Sequence, residues 1–124
     1  MFEATARLKI RDGELEGFKQ QVAEIVSLTR AGDPKPLRYD WFLSADGTEC
    51  EVREAYLSAD ALLAQQERIG QAKLELFGNY VAGHEMAFYG ELSPALAGAL
   101  EAMGTAFHQY AFFQGLEAEL EVPA

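Results

Sequence analysis

One acidic residue stands where a strand pattern predicts apolar side chains, and it is the strongest candidate for chemistry in this sequence. Glu54 falls on the apolar face of a predicted hairpin, opposite Tyr39 and two residues before Tyr56. Burial would raise the pKa of its carboxyl group, and a tyrosine hydroxyl donating to it would lower that pKa. Glu54 is therefore either the acid or base of a ligand pocket, or a structural carboxylate bonded to Tyr39, to backbone or across a dimer.

Large aromatic residues recur on the faces that the strand pattern predicts to be inward. A flat ligand needs a mostly apolar pocket with a few placed polar groups, which such side chains could supply. A domain of this size also needs large side chains simply to fill its core. The sequence is consistent with either role, lining a pocket or filling the core, for five aromatic residues: Tyr39, Trp41, Tyr56, Phe88 and Phe107.

The histidines and the cysteine give little support to metal or thiol chemistry. His84 and His108 lack a second ligand at metal-binding spacing, so no metal site is expected. His108 shares strand parity with Tyr110, so it is either a proton acceptor beside a ligand or a histidine satisfied in a dimer interface. Cys50 lies between two glutamates, which would raise its pKa, and we expect a packed thiol. Phosphate-loop, nucleophile-elbow and Cys-x-x-Cys motifs do not occur.

The composition indicates one folded domain spanning residues 1–124. Apolar residues make up 49% of the chain, which is enough to offset chain entropy. The formal charge of −10 and the dispersed basic residues argue against nucleic acid or an anionic membrane as partners. With a single cysteine, no leader-like segment and no run long enough to span a bilayer, the expected location is the cytoplasm.

Hydrophobic periodicity predicts the elements that would position these residues. A period of two over residues 2–10 indicates a strand, and a period of three to four from Glu14 indicates an amphipathic helix ending near Gly32. Ser58 is the expected N-cap of one continuous second helix that stops near Gly78. The remaining predicted elements are a strand over 84–91, a helix after Ser93-Pro94, a last strand over 105–114 and a frayed acidic tail after Leu116.

The most informative stretch is a hairpin of residues 37–44 and 49–57 around Asp46-Gly47, a strong turn signal. Counting outward from the turn sets Trp41 opposite Val52, Asp40 opposite Arg53 and Tyr39 opposite Glu54. The Asp40 and Arg53 charges would then attract each other across the strands. One face must be buried: Leu37, Tyr39, Trp41, Leu43, Cys50, Val52, Glu54 and Tyr56. The other carries mostly polar residues together with Phe42.

The element order predicts an α+β, ferredoxin-like fold. Strand, helix, strand, strand, helix and strand form the split βαβ arrangement, an antiparallel sheet with its helices on one side, here followed by an extra C-terminal helix and strand. The uncovered face of such a sheet would be prone to aggregation. We therefore expect a homodimer, a dimeric α+β barrel, with its sheets face to face and a polar interface that includes Arg38, Asp40, Phe42 and Arg53.

Several segments resemble the antibiotic biosynthesis monooxygenase-like domains of the dimeric α+β barrel superfamily. The resemblance lies in the hairpin LRYDWFLSADG at 37–47, the strand end REAY at 53–56 and the helix start ALLA at 61–64. FYGEL at 88–92 and TAF at 105–107 are similar to a bacterial subgroup described as candidate quinol monooxygenases.

The resemblance implies oxygenation of an electron-rich aromatic substrate, such as a quinol or polyphenol, without metal or flavin. Gln65 stands where the family often has a histidine, so it would shape the pocket without exchanging protons. Glu54 and His108 are then the candidate proton acceptors. The alternatives are a non-catalytic dimeric module that binds a small aromatic or lipid-like ligand, and haem chemistry, for which the chain offers no convincing axial histidine.

Overall fold

The computed structural model describes residues 1–116, and these residues form five strands and four helices. In chain order the elements are β1 (Phe2–Ile10), α1 (Leu15–Ala31), β2 (Arg38–Leu43), β3 (Glu49–Tyr56), α2 (Ala59–Arg68), α3 (Gly70–Tyr80), β4 (Val81–Tyr89), α4 (Pro94–Met103) and β5 (His108–Tyr110).

The sheet has the order β2-β3-β1-β4-β5, which confirms the ferredoxin-like arrangement. β1 is central and pairs antiparallel with β3 and with β4. β5, the extra C-terminal strand, joins β4 in the parallel direction. Within one chain the sheet is open, with β2 and β5 at its edges. Closure into a dimeric barrel stays a prediction.

The hairpin register is confirmed, but its charge pairing is not. Tyr39 pairs with Glu54, Asp40 with Arg53 and Trp41 with Val52. The Asp40 carboxylate instead accepts from Arg38 Nε at 2.9 Å, and Arg53 Nε donates to a Glu51 carboxylate oxygen at 3.1 Å. Residues two apart on a strand share a face. Each arginine therefore finds its acid along its own strand.

The predicted inward face of the hairpin is buried along the inner strand β3 and exposed at both ends of the outer strand. Cys50, Val52, Glu54 and Tyr56 are buried, all on the inner strand β3. Leu37 and Leu43, expected to be buried, are 55% and 45% exposed. Leu43 ends and Leu37 precedes the edge strand β2, and neither belongs to the core that forms beneath the helices.

The second helix is two helices, which corrects the prediction of a continuous one. Ser58 caps α2 as expected, its hydroxyl oxygen accepting from the backbone N–H of Ala61 at 3.2 Å. The helix stops at Ile69, whose ψ of 8° departs from the helical value, and α3 begins at Gly70. Glycine disfavours a helix interior by about 1 kcal/mol relative to alanine, and Ile69 is inserted into the core. The break places α3 on a separate axis from α2.

The C-terminal strand is much shorter than predicted. Ser93 caps α4, but β5 contains only three residues instead of the predicted 105–114. β5 pairs with the last three residues of β4, which ends at Tyr89, and Gly90, with a φ of 128°, turns the chain away there, so the pairing does not continue past Tyr110. Phe112 and Phe113 consequently lie outside the strand and are exposed. The tail predicted to fray after Leu116 lies outside the described residues.

Buried side chains form two clusters beneath the helices. One joins β1 and β3 to α1 and α3 around Leu8, Ile25 and Leu76. The other joins the sheet to α2 and α4 around Phe2, Tyr56 and Phe88. Between residues 1 and 116, none of the helices has the length and apolar character needed to cross a membrane.

Candidate functional site

An apolar cavity of about 360 Å³ lies between the sheet and helices α2, α3 and α4. This volume is at the small end of the range for ligand pockets, which suits a molecule of one or two rings. Its walls are mainly hydrophobic, and only a few polar side chains reach it. The lining includes Glu54, Leu62, Leu63, Gln66, Lys73, Phe77, His84, Met86, Phe88, Leu96, Leu100 and Met103.

Glu54 is the buried acid of this cavity. It is 5% exposed, and the Tyr56 hydroxyl donates to its Oε1 atom at 2.5 Å. Burial raises the pKa of the Glu54 carboxyl group, while the Tyr56 hydrogen bond and the charge of Lys73 oppose that rise. A carboxyl group placed in this way can accept or donate a proton nearer to neutral pH than an exposed glutamate can.

The two tyrosines near Glu54 are held as neutral hydroxyls. Burial first, and the negative charge of Glu54 second, raise the pKa of Tyr39 and of Tyr56 well above the usual tyrosine range. The polar side chain of Gln65 opposes the rise in the pKa of Tyr39. Neither tyrosine will act as a base near neutral pH, so the proton-accepting role falls to Glu54.

Lys73 brings an amine to the same cavity from α3. Its Nζ atom donates to the Gln66 side-chain oxygen at 2.6 Å and lies 5.7 Å from the centre of the Phe77 ring. Burial lowers the pKa of Lys73, and the charge of Glu54 opposes this shift. No salt bridge joins Lys73 to Glu54 within residues 1–116. A ligand group could therefore lie between the two.

A second, much smaller recess of about 30 Å³ adjoins the cavity on its hairpin side. Tyr39 and Trp41 line it, as do small and apolar residues of β1 and α1. Five side chains contribute to both spaces: Glu54, Gln66, Lys73, Phe77 and Met86. The sequence-predicted residues Tyr39, Trp41 and Glu54 are thus brought together around one end of the site.

Gln65 lies outside both spaces, in a buried network behind α2. Its Nε2 atom donates to the Thr29 hydroxyl at 2.7 Å, and its Oε1 atom accepts from Arg68 at 2.7 Å. Arg68 continues to the Pro34 carbonyl at 3.2 Å. Gln65 therefore ties α2 to α1 and to the following loop, and its hydrogen bonds do not reach the cavity.

Among the other predicted pocket aromatics, Phe88 lines the cavity directly. Phe107 packs edge-on against Phe88, with ring centres 5.5 Å apart, and so supports the wall from behind. Tyr56 is buried in the same cluster and reaches the site through its hydrogen bond to Glu54.

The structure does not bring His108 to Glu54. His108 is exposed and pairs with Ala87 on the open face of the sheet, whereas Glu54 lies on the helix-covered face. The histidine that does line the cavity is His84, which packs edge-on against Phe77 at 5.0 Å. Within the described residues, no three His, Cys, Asp or Glu side chains are grouped as a metal site.

Cys50 is a packed thiol, as the sequence predicts. It is 2% exposed in the core cluster around Leu8, and burial raises the pKa of its thiol to about 11. This position gives no access to a ligand in the apolar cavity, whose lining does not include Cys50.

Sequence reasoning missed Lys73, the cavity's principal cation. A signal was present, because Ile69, Lys73 and Phe77 follow one another at intervals of four residues and so share a helical face. A lysine between two large apolar residues on one face is an anomaly of the same kind as Glu54. His84, Met86 and the α4 residues carried no comparable signal, since they fit ordinary core patterns.

Comparison with known proteins establishes the fold. No protein-family model matches the chain, and no curated protein matches it. Solved structures do match, and several of them are named as antibiotic biosynthesis monooxygenases or candidates for that activity. The chain has the fold of these proteins, which confirms the resemblance of the sequence at the level of structure.

Two similar structures illustrate the match. MupZ from Pseudomonas fluorescens is 24% identical, with 98% of each chain covered and a TM-score of 0.75, so the likeness extends through α4 and β5. A candidate antibiotic biosynthesis monooxygenase from Nitrosomonas europaea is 21% identical, with 75% of this chain and 91% of that chain covered and a TM-score of 0.64. At these identities the likeness supports fold and leaves activity to be argued from the site.

Proposed function

We propose that the chain is a cofactor-independent monooxygenase acting on a quinol or a related phenol. The observation that carries this proposal is the buried carboxyl group of Glu54 beside the amine of Lys73 at one end of an apolar cavity. The names of the structurally similar proteins support the reaction class.

In the proposed reaction, Glu54 in its ionised form accepts the phenolic proton of the substrate. Apolar walls such as Phe88 and Leu100 exclude water, which strengthens the electrostatic interactions inside the cavity. The ammonium group of Lys73 balances the charge of the phenolate. The substrate anion is the reductant and gives four electrons to dioxygen. One oxygen atom replaces a ring hydrogen, so a hydroquinone becomes a hydroxyquinone, and the other oxygen atom leaves as water with the two hydrogens that the substrate has lost.

Oxygen consumption with a panel of benzo- and naphthohydroquinones tests the proposal. Glu54→Gln keeps the shape of the side chain and should lower the rate by about 10²-fold or more, the usual contribution of a general base. Glu3→Gln, an exposed carboxylate on the neighbouring strand, serves as the matched control and should retain activity. No uptake above the non-enzymatic rate for any hydroquinone would refute the oxygenase proposal for this substrate class.

The second candidate is a non-catalytic module that binds a small aromatic or lipid-like molecule. The small number of polar groups on the cavity walls favours it. The same panel distinguishes the two, because a binding module would bind hydroquinones, as measured by calorimetry under argon, without consuming oxygen in air.

We also propose that the chain works as a homodimer through the open face of its sheet. That face exposes Phe42, Tyr89 and Tyr110, with the two tyrosine rings stacked 5.5 Å apart. It carries a broad concavity of about 510 Å³ lined by Arg7, Arg38, Glu49, Glu51 and Arg53, together with Phe42. Alternating charges of both signs suit a self-complementary contact.

A further inference from the structure

We propose that the recess beside Glu54 is a subsite for one oxygen atom of the ligand, with the indole N–H of Trp41 as the hydrogen-bond donor. The inference rests on the proposed function only in requiring that the cavity binds a small aromatic molecule. It does not require that this molecule be oxidised.

The first support is an unpartnered donor. The Nε1 atom of Trp41 is inaccessible to solvent and has no hydrogen-bond partner within residues 1–116. Buried donors without partners are rare, because the hydrogen bond to water is lost on folding and is not replaced. Trp41 lines the recess, so a ligand oxygen placed there could provide the missing acceptor.

The second support is the fixed orientation of the indole ring. Tyr39 packs edge-on against Trp41 with ring centres 5.8 Å apart, and Phe18 does so at 6.4 Å. The backbone position is set by the pairing of Trp41 with Val52. A donor held in this way loses little freedom when it binds an acceptor, which favours recognition.

The third support is the size and chemistry of the recess. Its volume of about 30 Å³ has room for an oxygen-sized group and little more. Ala6 forms part of its lining, and this small side chain leaves space beneath the hairpin. Glu54 and Lys73 border the recess and the main cavity alike, so Glu54, Lys73 and Trp41 border one continuous site. The ligand ring would occupy the apolar cavity, and its hydroxyl or carbonyl oxygen would enter the recess.

Two probes that differ by one hydroxyl group test the subsite: naphthalene and 2-naphthol. Their dissociation constants are measured by calorimetry under argon, so that turnover plays no part. Trp41→Phe removes the donor and keeps an aromatic ring, and it should reduce the preference for 2-naphthol by about fivefold, the effect of one hydrogen bond. The ratio of the two dissociation constants is compared between proteins, because the smaller ring of the variant weakens the packing of both probes alike and this effect cancels in the ratio.

Tyr39→Phe identifies which polar group is responsible. Tyr39 lines the same recess and its hydroxyl is the alternative donor, so this variant should keep the preference for 2-naphthol if Trp41 is the donor. Loss of the preference in Tyr39→Phe but not in Trp41→Phe would overturn the assignment, and so would an unchanged ratio in Trp41→Phe.

The wild-type protein provides a readout that does not depend on a variant folding. Trp41 is the only tryptophan in the sequence, so a nitrogen–proton correlation spectrum contains a single indole resonance. 2-Naphthol should move the indole proton downfield relative to naphthalene, as expected for a new hydrogen bond. Identical shifts with both probes would contradict the subsite, and failure of 2-naphthol to bind would refute it together with the proposed ligand class. Binding with the predicted ratio but no oxygen uptake would leave the subsite intact and refute only the oxygenase.

Discussion

Replacing Glu54 by glutamine should remove a pH dependence from the stability of the fold. Glu54 is buried against Tyr56, and burial raises the pKa of its carboxyl group. Glutamine has nearly the same shape and can still accept the Tyr56 hydrogen bond. The substitution therefore removes the ionisation with little change in packing.

The sign of the effect follows from proton binding in the two states. A glutamate in an unfolded chain ionises near pH 4.3. Above that pH the unfolded state has released a proton that the folded state retains, so stability falls as the pH rises, until the folded pKa of Glu54 is passed. One proton gives a slope of at most about 1.4 kcal/mol per pH unit. Below the unfolded pKa both states hold the proton and the slope vanishes.

Urea unfolding measured from about pH 4 to about pH 8 gives the free energy of unfolding at each pH. The quantity of interest is the wild-type value minus that of Glu54→Gln, because this difference cancels the titratable groups that do not interact with Glu54. The difference should become more negative as the pH rises. Glu3→Gln reports the effect of removing one exposed carboxylate from the same sheet.

A difference that stays constant from about pH 5 to about pH 8 would show that Glu54 ionises in the fold as it does in the unfolded chain. That result would refute the raised pKa and remove the basis for giving Glu54 the role of base. A difference that becomes more positive with pH would mean that Tyr56 and Lys73 outweigh burial.

Two further predictions concern the packing and the open face. Cys50 is 2% exposed, and burial raises the pKa of its thiol to about 11. A disulfide reagent at neutral pH should therefore label Cys50 far more slowly in buffer than in urea. Equal labelling rates would contradict the burial of Cys50. Light scattering should give about twice the 13.7 kDa chain mass, and Phe42→Glu on the exposed sheet face should shift the protein toward the monomer. A concentration-independent wild-type monomer would refute the homodimer.

The strands were predictable where local signals agreed. Period-two alternation set the bounds of β1, and the Asp46-Gly47 turn set the register of the hairpin. In the turn, Asp46 accepts from both the hydroxyl and the backbone N–H of Thr48, and Gly47 has a φ of 72°. Local chemistry of this kind leaves few alternatives, so its outcome can be read from a single sequence.

Other features depend on contacts that no local pattern records. Helix periodicity continues through Ile69, and the break there reflects the burial of that side chain as well as the helix propensity of Gly70. β5 stops at Tyr110 because β4 ends at Tyr89, and no local pattern marks His108 as the first paired residue. Part of the site was predictable, because Glu54 is conspicuous as an acid on an apolar strand face. The distance between His108 and Glu54 was not, because a single sequence does not show that these two side chains lie on opposite faces of the sheet.

The break at Ile69 separates the anchoring residues in the last turn of α2 from the cavity-lining residues of α3. Gln65 and Arg68 on α2 anchor that helix to Thr29 and Pro34, and none of these four residues lines the cavity or its recess. Much of the α3 side of the cavity comes from Lys73, Leu74 and Phe77. Mutational drift or laboratory evolution can therefore resize the binding cavity through α3 while the anchoring network stays intact, which makes this small scaffold adaptable to new ligands.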